Sequence, residues 1–313
     1  MDKRVIILGI NGHVGHHVAK AFVAAGWEVH GFGRSNKHPV AGVRFVKGDA
    51  NDVASMREAI GDIGVVVNAL NLPYDQWDKG RKVAQTERVI AAMGTSGKTL
   101  LFPGNIYNYA ASDRIVTPDL PQRPETPRGA IRVEVEELYR AAARRGDIQA
   151  IILRAGDFYG PESQGDWFDL VMMTEARKGK VQLMGVKGVG HAWAYLPDLG
   201  RAFEKLARHR SQLGGFETFH FAGHFVTPKE MGTAIAAVRP VKVSMFPRWI
   251  INAMGLVNPV MREVGKMAYL WEHPMELRDS RLDDILGPDF ATPFGEAVAA
   301  TVTPFFAAER AAA

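Results

Sequence analysis

The stretch Val5-Ile6-Ile7-Leu8-Gly9-Ile10-Asn11-Gly12-His13-Val14-Gly15 runs four apolar residues into three glycines at three-residue spacing. Val14, Val18, Ala21, Phe22 and Ala25 then recur at helical spacing, and Gly26 closes the run. The pattern predicts a strand that turns sharply into an amphipathic helix. Gly9 permits the turn, Gly12 lets the backbone approach a pyrophosphate, and Gly15 lets the helix pack close to the sheet. The helix N-terminus then offers its unpaired N–H groups and positive dipole end to phosphates. The reading is a dinucleotide site, with Gly9, Asn11, Gly12, His13, Val14 and Gly15 around the phosphates.

Outward from that stretch, apolar runs at 5–8, 27–32, 63–68, 99–103 and 148–153 alternate with helical patterns near 14–25, 53–60, 76–93 and 129–145. The alternation predicts an α/β fold, a Rossmann-type doubly wound parallel sheet with strands buried on both faces. After residue 160 the regularity weakens. Helices are expected near 166–178, 197–208 and 228–238, and short strands near 181–184, 191–195 and 216–221. A Pro- and Gly-punctuated helical region follows over 246–285, then an alanine-rich tail from Ala297 that frays at its end. The 313 residues leave room for a dinucleotide-binding domain over 1–165 and 192–224 and a smaller, mostly helical substrate lobe over 166–191 and 225–313.

Composition narrows the partners. The net charge of +4 is small and scattered, which argues against nucleic acid. Arg140, Arg144 and Arg145 cluster, but at a predicted helix C-terminus, where cations complement the dipole. Without cysteine there is no disulfide, thiol nucleophile or thiolate metal site, which suits the cytoplasm. Met1-Asp2-Lys3-Arg4 before an apolar run mimics a signal peptide, yet the run breaks at Gly9 with no small-residue cleavage site. No stretch reaches the about 18 apolar residues of a membrane span. The aromatic segments at 246–251 and 269–271 read as helices roofing a pocket rather than as a membrane contact. His13, His16 and His17, like His220 and His224, lack companions in a ligand arrangement, so no metal site is expected. A small molecule remains as the expected partner.

The end of the second strand selects the dinucleotide. Gly31-Phe32-Gly33-Arg34-Ser35-Asn36-Lys37 has no carboxylate to bond a ribose 2′-hydroxyl. Arg34 can stack on adenine and pair with a 2′-phosphate, Ser35 can donate a hydrogen bond, and Lys37 can add charge. NADP(H) is expected over NAD(H).

Further motifs follow in order: Gly48-Asp49-Ala50, Asn68-Ala69-Leu70, Arg154-Ala155-Gly156-Asp157-Phe158-Tyr159-Gly160-Pro161 and Trp193-Ala194-Tyr195-Leu196-Pro197-Asp198-Leu199. In order and spacing the chain resembles the extended short-chain dehydrogenase/reductase family, the group containing nucleotide-sugar epimerases and dehydratases. The resemblance implies an adenine contact at Asp49 and Ala50, cofactor contacts at Ala69 and Leu70, and a substrate-side turn around Tyr159. It also implies a Ser-Tyr-Lys triad, and here the chain departs. Thr126-Pro127-Arg128-Gly129-Ala130-Ile131-Arg132 puts Arg128 at the tyrosine position and Arg132 at the lysine. Aligning Ile106-Tyr107 with the family's V-Y puts Pro103 at the serine, an interval to position 128 that the family shows without a gap. Arg128 stays protonated and cannot exchange a proton as tyrosine does, although it could clamp an anion or an oxyanion. Arg132 can keep the ribose contact.

If chemistry persists, another acid must serve. Tyr107 and Tyr109, just after the strand end, are nearest, followed by Tyr159 and His191. The expected catalytic set is Tyr107, Arg128 and Arg132, with Asn105, Tyr74, Tyr159 and His191 on the substrate and Pro103 and Arg132 against the cofactor. Trp77, close to Tyr74, is expected to help cover the substrate side. Two functions fit. One is an atypical oxidoreductase or epimerase/dehydratase-like enzyme on a carbonyl or sugar-type substrate; the other is a non-catalytic NADP(H)-sensing regulator. The complete substrate-lobe motifs around Tyr159 and Asp198 favour the enzyme. The resemblance further implies a homodimer through the helices near 76–93 and 129–145.

Overall fold

The computed structural model describes residues 3–73, 76–162 and 165–307. Its strands in chain order are β1 (Arg4–Leu8), β2 (Glu28–Gly33), β3 (Val43–Lys47), β4 (Val65–Asn68), β5 (Thr99–Asn105), β6 (Ile115–Val116), β7 (Gln149–Ala155), β8 (Asp157–Tyr159), β9 (Lys180–Leu183), β10 (His191–Tyr195), β11 (Phe216–His220), β12 (His224–Val226), β13 (Lys242–Met245) and β14 (Glu276–Leu277). One parallel sheet has the order β3-β2-β1-β4-β5-β7-β11. The order reverses between β1 and β4, and in such sheets ligands bind at that crevice, outside the carboxyl ends of the strands.

Helices α1 (His13–Ala24), α2 (Val53–Ile60), α3 (Arg81–Met93), α4 (Pro127–Arg144) and α5 (Leu196–His209) cover the sheet. Successive strand residues point to opposite faces, so β1 feeds two cores at once. Val5 and Ile7 pack with Val18 and Phe22 of α1 and Leu199 and Phe203 of α5. Ile6 and Leu8 pack with Met56 of α2, Val89 of α3 and Val135 of α4. All four β1 residues have no exposed surface, and each contributes about 1.5–3 kcal/mol by burial.

The remaining helices are α6 (Pro228–Val238), α7 (Arg248–Gly255), α8 (Pro259–Lys266), α9 (Tyr269–Glu272), α10 (Ser280–Leu286) and α11 (Phe294–Phe306). A third core joins Phe168, Met172, Val181, Met231, Ile235, Val298 and Val302 beside the β9–β13 pair.

Local expectations change in part. The helix expected over 166–178 is a π-helical turn at Phe168–Met172 and a 3-10 turn at Ala176–Lys178, stopped by Gly179 at φ +72°. Ala297, Val298 and Val302 are fully buried in α11, and the end of the alanine-rich tail, beyond 307, lies outside the described residues. Strand β3 was not expected. It is a half-buried edge strand, and its apolar residues alternate with Arg44 and Lys47 too briefly to stand out.

Candidate active site

The turn from β1 into α1 is built as the glycines dictate. Gly9 has φ +89°, and a Cβ there would meet the Ala69 carbonyl oxygen at 2.8 Å. A Cβ on Gly15 would collide with the Gly9 carbonyl oxygen, so the first turn of α1 can lie on the β1 exit only as glycine. Gly12 is different: its open side faces the crevice, and it stands at the N-cap of α1 with no side-chain cap. The start of α1 therefore has no side-chain cap to compete with an external acceptor.

Asn11 acts sideways. Its Nδ2 donates to the Ser35 carbonyl at 2.6 Å, and its Oδ1 accepts from the Lys37 amide at 2.9 Å. That brace holds the exposed Arg34–Ser35 turn beside the glycine loop. Asp49 is exposed and accepts from Asn51, while Asp52 caps α2 through the Ala54 amide. Ala50 is half-buried beside it.

From Gly12, His13 and Val14 a cavity of about 770 Å³ runs past the ends of β4, β5 and β7 to Trp167, Leu170, Phe246, Met254 and Met261. Ala69, Leu70, Pro103, Asn105, Tyr107 and Arg132 all line it. Pro103 is tolerated because β4 pairs β5 only through Thr99–Leu101, leaving no ladder partner waiting on that side. The Asn105 side-chain oxygen accepts from the Tyr107 amide at 3.1 Å, so its NH2 group is the part that can donate to a ligand.

Other expected residues lie elsewhere. Arg128 is fully buried, and its guanidinium meets Asp78 at 3.4 Å and Glu263 at 3.3 Å instead of the cavity. Tyr159 is fully buried in an aromatic cluster and bonds His224 Nδ1 at 2.7 Å. Burial pushes its phenol far up. Tyr109 is also buried, bonded to Arg154 and His220, and its phenol is pushed up to about 12 by burial. His191 stands behind the wall: its Nε2 pairs with Asp157, a lining residue, at 3.0 Å, and its Nδ1 meets the Leu270 carbonyl. Tyr74 lies outside the described residues.

A sequence model of the NAD-dependent epimerase/dehydratase family matches residues 5–220. The chain belongs to that family. No curated protein matches it. Among solved structures it resembles MoeE5 in complex with UDP-glucose and NAD, at 20% identity and TM-score 0.75, over 96% of this chain and 97% of that one. It also resembles UDP-glucose 4-epimerase from Brucella ovis in complex with NAD, at 17% identity and TM-score 0.77, over 97% and 98%. A third is the NAD-dependent NDP-hexosamine 5,6-dehydratase TunA of tunicamycin biosynthesis, at 17% and 0.74, over 96% of both chains. Identities this low establish a shared fold, that of the extended short-chain dehydrogenase/reductases.

Within this epimerase/dehydratase family member, the cations around Trp77, Lys82 among them, and the contacts of Asp157 escape a linear reading. Trp77 lines the cavity and is ringed by cations: Arg132 at 4.6 Å, Arg128 at 5.8 Å and Lys82 at 5.9 Å from its ring. Lys82 is buried, donates to the Leu70 carbonyl at 2.9 Å and to Gln85, and is held well below the ordinary lysine range by burial and by Arg132. A signal existed. Lys82, Gln85 and Thr86 share the inward face of α3 with Val89, polar residues where a helix expects apolar ones. Asp157 takes the Trp271 indole N–H at 2.8 Å on the oxygen that also meets His191.

Proposed function

We propose that this family member is an NADP(H)-dependent oxidoreductase or epimerase/dehydratase-like enzyme acting on a carbonyl or hydroxyl group of a small molecule. The observation that carries this reading is the uncapped start of α1 opening onto a deep cavity that also receives Asn105 and Tyr107. The amides of His13 and Val14 suit a pyrophosphate, and the Asn11-braced Arg34 and Ser35 suit a 2′-phosphate. Arg132, stacked on Trp77 and Phe102, suits a ribose. A nicotinamide held there supplies a hydride donor or acceptor. Tyr107 exchanges the proton with the substrate oxygen, and the Asn105 amide orients that oxygen. Arg128 supports Trp77 from behind through its Asp78 and Glu263 contacts. The solved relatives bound to NAD and UDP-glucose support the cofactor class and the sugar-type arm of the substrate range.

Calorimetric titration with NADPH and NADH tests the cofactor claim. NADPH is expected to bind at least about tenfold tighter, and Arg34→Glu to remove the difference. Equal affinities, or a preference for NADH, overturn it. A panel of carbonyl compounds and nucleotide sugars, followed by absorbance of the reduced cofactor, tests turnover.

A further inference from the structure

The far end of the cavity has a chemistry of its own. Trp167, Leu170 and Val171 from one side and Phe246, Met254 and Met261 from the other form its walls. The charged residues among the described lining are His13, Arg132, Asp157 and Asp166. Each is engaged close to the cofactor end or against a neighbour. His13 pairs with Asp166 at 2.7 Å, Asp157 with His191 and Trp271, and Arg132 lies over Trp77. Thr174 and Gln182 add the uncharged polar groups of this end, so a nucleoside diphosphate taken in there would lose its hydration with no cation among the described lining residues to replace it, whereas an apolar body gains by the same desolvation.

The wall also continues outward. Leu170 is 57% exposed and Met254 43%, and past Met254 the turn toward α8 presents Leu256 at 80% and Val257 at 86%, with Trp249 of α7 at 70%. Exposed large apolar side chains grouped in this way mark a contact surface where they adjoin a cavity, as Leu170 and Met254 do. Leu170 and Met254 also line the cavity, so its outer wall meets solvent at apolar side chains. Methionines at 254 and 261 add side chains that repack around different shapes.

Resting on the NADP(H) reading above, we propose that the substrate is a small molecule with an extended apolar body, a long-chain or polycyclic alcohol or ketone. Its reacting oxygen reaches Asn105 and Tyr107, and its apolar body lies along Leu170, Val171, Phe246, Met254 and Met261. The site is not built for the diphosphate of a nucleotide sugar, and this chain parts there from the solved relatives it resembles.

The test uses the full chain saturated with NADP+ and the neutral dye N-phenyl-1-naphthylamine. Dye fluorescence is expected to rise on binding, to be displaced by 2-decanone and 2-decanol, and to be unaffected by UDP-glucose or UDP-glucuronic acid at equal concentration. Leu170→Asp and Met254→Asp, both at exposed positions that tolerate charge in the fold, are expected to weaken dye and 2-decanone binding about tenfold or more. The NADP+ affinity measured in the same variants is expected to stay within about twofold of the parent. Displacement by UDP-glucose overturns the proposal, as does dye binding that survives both aspartates or tracks self-association in ultracentrifugation. Failure to bind NADP+ would defeat the cofactor reading alone, because dye displacement is read equally well in the cofactor-free protein.

Discussion

Arg128 and Tyr107, 21 positions apart in the chain, have opposite surroundings. Arg128, which the family resemblance sets at its tyrosine position, is sealed between Trp77, Asp78 and Glu263, while Tyr107 lines the cavity beside Asn105. Tyr107→Phe removes the only atom of that side chain able to exchange a proton. Turnover of the best substrate is expected to fall about 10²-fold or more while NADPH affinity is unchanged. Arg128→Met is expected to act on folding instead, at about 1–2 kcal/mol by urea unfolding. That is less than a fully buried pair would lose, because Asp78 is half-exposed and can return to water. Should Arg128→Met abolish turnover with unchanged stability, the assignment is reversed. The position of Asn105 and Tyr107 on the cavity was legible because Asn105 ends β5 and Tyr107 follows it in the chain. The partners of Arg128 were not, since Asp78 and Glu263 come from remote parts of the sequence and carry no local pattern.

Helix α1 does more than present its N-terminus. His13 Nδ1 reaches Asp166 at 2.7 Å, His16 Nε2 and Lys20 Nζ each reach Glu162 at 2.9 Å, and His17 Nε2 meets the Pro161 carbonyl at 2.9 Å. The histidine run that invites a metal reading is a ladder along one helix face, gripping Pro161, Glu162 and Asp166. Its spacing was visible in the sequence; what it grips was not, because the partner segment follows β8 some 140 residues later and has no regular pattern of its own. Burial alone would lower the His13 imidazole, but the hydrogen bond and charge of Asp166, with Asp169 behind, more than reverse this and raise it. A histidine raised in the folded protein contributes stability below its unfolded value near 6.5 and loses it as pH rises through the raised value. Amide exchange in 165–169, corrected for intrinsic rate, is therefore expected to speed up as pH rises from about 6.5 to 8.5. His13→Asn should remove that dependence. An exchange rate in this segment that is flat with pH in the parent protein would refute the ladder as a titrating contact.

At the scale of the whole molecule, one buried polar knot ties the layers together under the active site. Arg154 of β7 pairs with Glu136 of α4 and donates to the Tyr109 hydroxyl at 2.6 Å, while its contact with His220 of β11 spans 3.0 Å. The His220 amide in turn donates to Asp279 at the start of α10. The inner strands of the sheet were readable from their apolar runs, since burial on both faces writes itself into each strand, whereas the half-buried edge strand β3 was not. The knot was not readable, because its members sit singly in apolar strands and helices and meet only when four elements close. Its consequence is acid sensitivity. Burial, with Arg154 beside it, lowers His220 to about 3, and burial, with His16 beside it, lowers His17 to about 4. Both are neutral in the fold and take up a proton on unfolding once pH drops below their unfolded value near 6.5, so their stabilising effect is present above that pH and is lost toward the folded values. Each is worth up to about 1.4 kcal/mol per pH unit in that window, and the raised His13 offsets part of it by binding its proton in the fold. Urea midpoints are expected to fall steadily from pH 7 to pH 5. His17→Asn and His220→Asn together should flatten the slope while lowering the midpoint at pH 7, because the hydrogen bonds to Pro161 and Val116 are disturbed. A midpoint that holds constant from pH 7 to pH 5 in the parent protein would mean that these two imidazoles are not kept neutral by the fold.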